Sequence, residues 1–431
     1  MLKKIINTFS ARLLTAIINL FIAIAISQYL GATGKGEQGI IITTIVLILI
    51  FSNLIGGPSI VYLVPRYPLS CLIIPSYIWS IFVSAVFFVL MKSINIINTE
   101  YILHVTLLTA INSFASINQS ILLGKERIKT NNYISLLQAA LIIGTLIIYF
   151  YFLGKPEILS YIKALYFSFG VSFILSFYFI VPFLKNKNAA KQDNSFRDAL
   201  KGLAKYGIWN QIGNIAHMLS FRGSYYFIEY FNGAKDVGIY SNGVSLIESV
   251  WLISSSITLV QYSRIVNSEN DSYSQKLTIN LIKISLFLTF IVLIPLILLP
   301  SGFYIFIFGR EFGSINQVMW TLAPGVLIFN ITFLAGHYFS GTGKYHITAF
   351  VMLAGLIVTI ACGLLLIPVY GIIGAGITTS IYYSVTAIII AFLFSRRAKC
   401  SIFDLLPKWR DVNSYYKELI LFIKKDKQRY E

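Results

Sequence analysis

Arg222 and Glu248 each lie well inside an apolar stretch, which makes them the side chains best placed to do chemistry. A charge in hydrocarbon costs about 2.5–3.5 kcal/mol or more, so such a group is paired, hydrated or functional. At 1.5 Å per residue, Arg222 lies about 13 Å from the outer end of its stretch, and Glu248 about 15 Å from the outer end of the next. Antiparallel neighbours bring the two to one depth, so an Arg222–Glu248 pair is expected. A guanidinium fork suits phosphate, and a carboxylate beside it would hold it or exchange a proton with it. A buried ion pair that only fixes helix packing is the structural alternative. Read as a helix, the stretch around Arg222 also gathers Gln211, Asn214, His217, Tyr225 and Glu229 into an arc of about 140°. A polar stripe of that kind must face protein or water rather than lipid. For His217, a proton relay competes with a hydrogen-bonded packing role.

These residues need membrane-spanning helices to position them. The 431 residues are 57% hydrophobic and 12% charged, against about 25% charged in soluble domains; mean hydropathy is +0.76. Apolar runs of about 20 residues recur, the length a helix needs to cross a bilayer. They are continuous rather than alternating, which excludes a β-barrel. The expected spans are 10–30, 39–64, 71–92, 101–123, 133–153, 161–184, 204–231, 238–262, 278–300, 318–341, 346–368 and 371–395. The fold class is thus all-α and polytopic, with about 12 transmembrane helices. Residues 1–184 form an N-terminal six-helix lobe, 185–203 a cytoplasmic linker and 204–395 a second lobe. Residues 396–431 form a basic tail whose Tyr415–Ile423 stretch reads as an interfacial helix before Lys424-Lys425. Ala23-Ile24-Ala25 looks like a signal-peptide cleavage site, but the apolar run is long enough to span, and an uncleaved first helix is expected.

With the N-terminus inside, the inner segments hold 26 Lys and Arg and the outer loops only Lys35, Lys155, Lys235 and Arg310. That bias follows the positive-inside rule, so the net charge of +17 is a topology signal and no nucleic-acid partner is expected. Both termini fall in the cytoplasm. Arg12, Arg66 and Arg264 lie at inner ends of spans, either anchoring them or capturing an anionic substrate at the cytoplasmic mouth. Pro295, Pro324 and Pro368 are candidate hinges.

The halves echo one another. Gly39 precedes Arg66 by 27 residues and Gly238 precedes Arg264 by 26, while Leu123-Gly124-Lys125 pairs with Thr342-Gly343-Lys344. Repeats with an even number of spans imply a pseudo-two-fold along the membrane normal and a substrate site between the halves. Tyr29-Leu30-Gly31 through Gly39, Gly238-Ile239-Tyr240-Ser241, Gly343-Lys344 and Pro368-Val369-Tyr370-Gly371-Ile372-Ile373-Gly374-Ala375-Gly376 occur in an ordered set. That set resembles the O-antigen and polysaccharide flippases of the multidrug/oligosaccharidyl-lipid/polysaccharide exporter superfamily, over about residues 5 to 395. The resemblance implies two six-helix lobes in a V around a central cavity. It also implies export of undecaprenyl-pyrophosphate-linked sugar repeats by alternating access, for O-antigen, capsule or exopolysaccharide. The family pattern carries an Asp two residues after an Arg in helix seven; here Arg222-Gly223-Ser224 has Ser.

No nucleophile elbow, HExxH, P-loop or acidic metal cluster is present, and Cys71, Cys362 and Cys400 make no disulfide or metal spacing. The reading is a non-enzyme without cofactors, driven by a proton or sodium gradient, the membrane potential or the substrate gradient. Its partners would be the lipid-linked oligosaccharide, membrane lipids and other polysaccharide-assembly membrane proteins, in a bacterial inner membrane. A drug exporter of the same superfamily would want an acidic cavity, and a membrane-embedded polymerase a large outer loop; the longest outer loop expected is 301–317.

Overall fold

The computed structural model describes residues 2–64, 67–94, 97–185, 196–266 and 270–408. They are helical throughout, with no strand among them. The helices are α1 (Leu2–Ser52), α2 (Gly57–Leu63), α3 (Leu69–Ile94), α4 (Thr99–Gly124), α5 (Ile128–Ile147), α6 (Ile158–Lys185), α7 (Phe196–Asn232), α8 (Ala234–Glu248), α9 (Leu252–Val266), α10 (Asp271–Leu298), α11 (Ser301–Phe308), α12 (Ile315–Ile328), α13 (Asn330–Gly341) and α14 (Tyr345–Ala398). Among the described residues, seven segments are long and apolar enough to cross a bilayer. Two of them, Leu13–Val61 and His346–Ala398, have 49 and 53 residues. Those lengths exceed twice the roughly 20 residues of one crossing. Each divides into two helices at a glycine with non-helical dihedrals: Gly31 (φ 69°, ψ −170°) and Gly371 (φ 54°, ψ −131°). Both conformations are essentially closed to residues with a Cβ. The chain is a multi-pass, all-helical membrane protein.

It forms two compact units. The first is Met1–Asn242 with Ser301–Ser314, and the second is Gly243–Pro300 with Ile315–Glu431. In the first, Ile60, Leu63, Leu72, Ile117, Ile121, Ile134 and Ile180 make a buried core. Hydrogen bonds knit its helices: Tyr77 donates to Asn118 Oδ1 at 2.6 Å, and Asn118 Nδ2 donates to Ser176 at 3.2 Å, tying α3, α4 and α6. In the second unit, Ile282, Leu334, Tyr338, Phe339, Ile390 and Phe394 are buried together. Large apolar residues also point outward, among them Ile78, Ile81, Phe82 and Val89 on α3 and Ile357, Leu365 and Val369 on α14. Such faces are stable against lipid, not water.

The internal repeat is written in the backbone. Span two breaks at a 3-10 turn, Asn53–Ile55, and span eight at another, Ser249–Trp251. After α4, Glu126 N–H bonds Leu123 O and Arg127 N–H bonds Leu122 O; after α13, Gly343 N–H bonds Ser340 O and Lys344 N–H bonds Phe339 O. These are the same helix-ending motif, which needs a left-handed residue, supplied by Glu126 (φ 58°) and by Gly343 (φ 77°). The sequence pairing of Gly124 with Gly343 is therefore corrected by two residues. Gly124 is the last residue of α4, where its Cβ position is crowded by Val64, while the left-handed position belongs to Glu126.

The glycines of the 368–376 motif do separate jobs. Gly371 supplies the turn, Gly374 lies where a Cβ would strike the Leu366 carbonyl, and Gly376 lies where one would strike Thr321 on α12. Two further features differ from the spans expected. Span ten is broken at Phe329 into α12 and α13. Helix α7 starts at Phe196, inside the 185–203 connection. The tail stretch Tyr415–Ile423 lies outside the described residues.

Candidate functional site

Six of the expected cavity residues lie on α7, which packs against α1, α2 and α3 within the first unit. Gln211 is buried; its Nε2 donates to the Asn53 carbonyl at 3.3 Å, and Asn214 Nδ2 donates to its Oε1 at 3.0 Å. Asn53 opens the 3-10 turn of span two, where regular α-helical bonding is interrupted, so Gln211 satisfies backbone exposed by the break. Asn214 itself is exposed. His217 packs against Phe221, ring centroids 4.7 Å apart, within the field of the Arg222 charge.

Arg222 is half-buried, its guanidinium carbon 5.0 Å from the Phe221 centroid and 5.4 Å from that of Tyr225. Both distances are in cation–π range. Tyr225 is buried and meets Tyr240 edge-to-face at 5.6 Å. The rings shelter the cation while a half-exposed guanidinium remains open to an anion. One turn further along α7, Tyr226 shares a 2.9 Å hydrogen bond with Thr44 of α1. Glu229 is half-buried, and its Oε2 has no hydrogen-bond partner. Near it, Glu37, Glu100, Glu157 and Tyr101 line a cleft of about 370 Å³.

Glu248 belongs to the second unit. It is the last residue of α8, before the 3-10 turn, and its Oε1 accepts a hydrogen bond from Tyr383 of α14 at 2.8 Å. Trp251, just beyond, is buried against Phe329, Phe333 and Tyr383. Arg264 is exposed in the last turn of α9. Arg66 and the side chain of Arg12 lie outside the described residues.

Two charged residues near this site escape a reading from sequence. Lys35, expected in a solvated outer loop, is 6% exposed within the first unit. The run Gly-Ala-Thr-Gly-Lys-Gly reads as a turn, yet the chain becomes helical again directly after Gly31. Its glycines serve crossings: Gly36 and Gly238 have no room for a Cβ, because the backbones of α1 and α8 touch there. Lys35 Nζ donates to Gln38 Oε1 at 2.6 Å, and Gln38 Nε2 donates to Tyr161 at 3.1 Å. The second is Glu311. Its Oε2 accepts the Ala32 N–H at 2.7 Å, and its Oε1 lies 3.4 Å from Lys235 Nζ. It caps the helix that restarts after the Gly31 break. The Ala32 N–H, aided by Lys235, holds the Glu311 carboxyl below its ordinary value of 4.5. Among the described residues no group of three or more His, Cys, Asp and Glu could hold a metal.

The architecture is shared with a solved structure of the lipid II flippase MurJ in an inward closed conformation. The TM-score is 0.70 at 16% identity, over 96% of this chain and 92% of that one. The capsular polysaccharide biosynthesis protein CapF of Staphylococcus aureus is 26% identical over 172 residues, 39% of this chain and 43% of CapF. A putative O-antigen transporter of Shigella flexneri is 26% identical over 209 residues, 47% of this chain and 49% of that protein. The chain thus spans about half the length of these two relatives. Residues 1–262, more than half of the chain, match the family described as "Polysaccharide biosynthesis protein", and the chain belongs to that family.

Proposed function

We propose that this protein is a flippase that moves undecaprenyl-pyrophosphate-linked oligosaccharide repeat units from the inner to the outer leaflet of a bacterial cytoplasmic membrane. The observation that carries the reading is Arg222. It is an arginine midway along a membrane helix, propped between two aromatic rings and half-open, in a member of a polysaccharide biosynthesis family. A guanidinium at such a place suits the phosphates that every lipid-linked sugar carries, whatever its glycan. The names of the two relatives, a capsular polysaccharide protein and a putative O-antigen transporter, point to the same substrate class. Glu37, Glu100 and Tyr101 around the cleft of the first unit suit sugar hydroxyls.

Alternating access by two six-helix halves, twelve crossings and cytoplasmic termini belong to the same proposal. They are supported by the matched backbone breaks in spans two and eight and by the distribution of Lys and Arg. Twelve is the number reached when α4, α7 and α8 with α9 are added to the apolar segments and the two long ones are divided. The driving force would be an ion gradient, the membrane potential or the substrate gradient. Glu248, held by Tyr383, is proposed to pair with Arg222, and exchanging the two residues tests that pairing.

The test is a deletion of the gene in its host, rescued with wild type, Arg222→Ala or Arg222→Lys. Surface polysaccharide and the sidedness of the lipid-linked repeat are read. Repeats stranded on the cytoplasmic face, with no rescue by Arg222→Ala at normal membrane levels and weak rescue by Arg222→Lys, are expected. Repeats that reach the outer face but stay unpolymerised would instead make the protein a polymerase.

A further inference from the structure

Lys35 has three N–H donors and, among the described residues, one hydrogen-bond partner, the neutral side-chain amide of Gln38. It is buried, and the charge that acts on it is another cation, Arg222. Neither the amide nor the arginine offsets the charge. A desolvated ammonium near a guanidinium is unfavourable unless an anion joins them. The arrangement is not an accident of a loose side chain. The backbone of Lys35 is pinned four residues after the capped break at Gly31 and next to Gly36, where α1 and α8 touch. Gln38 is itself oriented by Tyr161, so its carbonyl oxygen is presented to the ammonium.

We propose that Lys35 is a second phosphate-binding residue of the substrate site, acting with Arg222 on the diphosphate of the lipid carrier; this rests on the flippase reading above. A diphosphate offers what the pair lacks. It has two linked anionic groups with enough oxygens to take the free N–H donors of Lys35 and the fork of Arg222 at once. A monophosphate cannot satisfy both equally, so the pair discriminates between carriers that keep one phosphate and those that keep two. Lys35 also lies near the outer end of its span, so it meets the diphosphate toward the end of its passage.

The experiment measures binding of farnesyl diphosphate, farnesyl monophosphate, farnesol and inorganic pyrophosphate to the full-length protein in nanodiscs. Wild type, Lys35→Met and Lys35→Arg are compared, with the melting temperature of each recorded without ligand. The expected result is tightest binding of farnesyl diphosphate, weakened about tenfold or more by Lys35→Met. Lys35→Arg should largely retain it, and ligand-free Lys35→Met should melt no lower than wild type. Unchanged binding in Lys35→Met overturns the role of Lys35 and leaves the flippase reading standing. Equal losses in Lys35→Met and Lys35→Arg would make Lys35 a packing residue and likewise overturn it. Inorganic pyrophosphate binding as tightly as the prenyl compound assigns a free-anion site and overturns the lipid assignment. No binding of any prenyl phosphate by wild type overturns the flippase reading itself.

Discussion

Glu311 closes a backbone break with a charged hydrogen bond, and its consequence depends on pH. The carboxyl titrates below its ordinary value of 4.5 because the ionised form accepts the Ala32 N–H and faces Lys235. A carboxyl depressed on folding adds stability above its unfolded value and loses it as pH falls through the folded one. The melting temperature of Glu311→Gln should therefore lie below that of wild type at neutral pH. The gap should close as pH drops below 4.5, as thermal scans of purified protein would show. A gap that persists in acid would mean that the carboxylate charge is irrelevant. Arg222 was legible without coordinates because an arginine inside an apolar run is conspicuous. Lys35 was not, since small and glycine residues around it imitate a turn, and only the crossing of α1 with α8 explains them.

At the scale of elements, the helices of this protein bend and stop where particular residues allow it. Gly371 divides the longest helix in a conformation that disfavours any Cβ. Gly371→Ala should cost about 1–3 kcal/mol and lower both yield and melting temperature, whereas Gly302→Ala, in open space, should not. Asn330 anchors the break between α12 and α13. Its Oδ1 accepts from Ser254, Ser285 at 3.2 Å and Thr289 at 3.3 Å, while its Nδ2 donates to Leu327 O at 2.7 Å. Asn330→Leu leaves buried hydroxyls short of an acceptor and should destabilise by about 1–3 kcal/mol in chemical unfolding. The spans themselves could be read from apolar runs, because bilayer thickness fixes their length. The breaks at 53–55 and 249–251 could not. Asn-Leu-Ile and Ser-Val-Trp contain no glycine or proline, and the breaks depend on partners such as Gln211, 158 residues away in sequence.

For the whole molecule, the asymmetry of Lys and Arg sets a direction that can be measured. In a background lacking Cys71, Cys362 and Cys400, cysteines placed at Lys155 or Lys235 should react with a membrane-impermeant thiol reagent on intact cells. Cysteines at Lys125 or Lys344 should react only after permeabilisation, and the reverse pattern would invert the topology. Charge counting reaches this far because each loop contributes independently. It could not reveal that Ser301–Ser314 packs with the first unit, since that depends on contacts such as Gln28 with the Ile307 carbonyl at 2.8 Å. That assignment has a bearing on biosynthesis. Glu311 is made 279 residues after Ala32, whose N–H it caps. At about 5–20 residues per second the delay is roughly 14–56 s. Throughout that interval the first helices to enter the membrane wait with an unfinished joint at Gly31. A nascent chain arrested before residue 300 should hold that joint open, exposed to membrane proteases that pass over the finished protein.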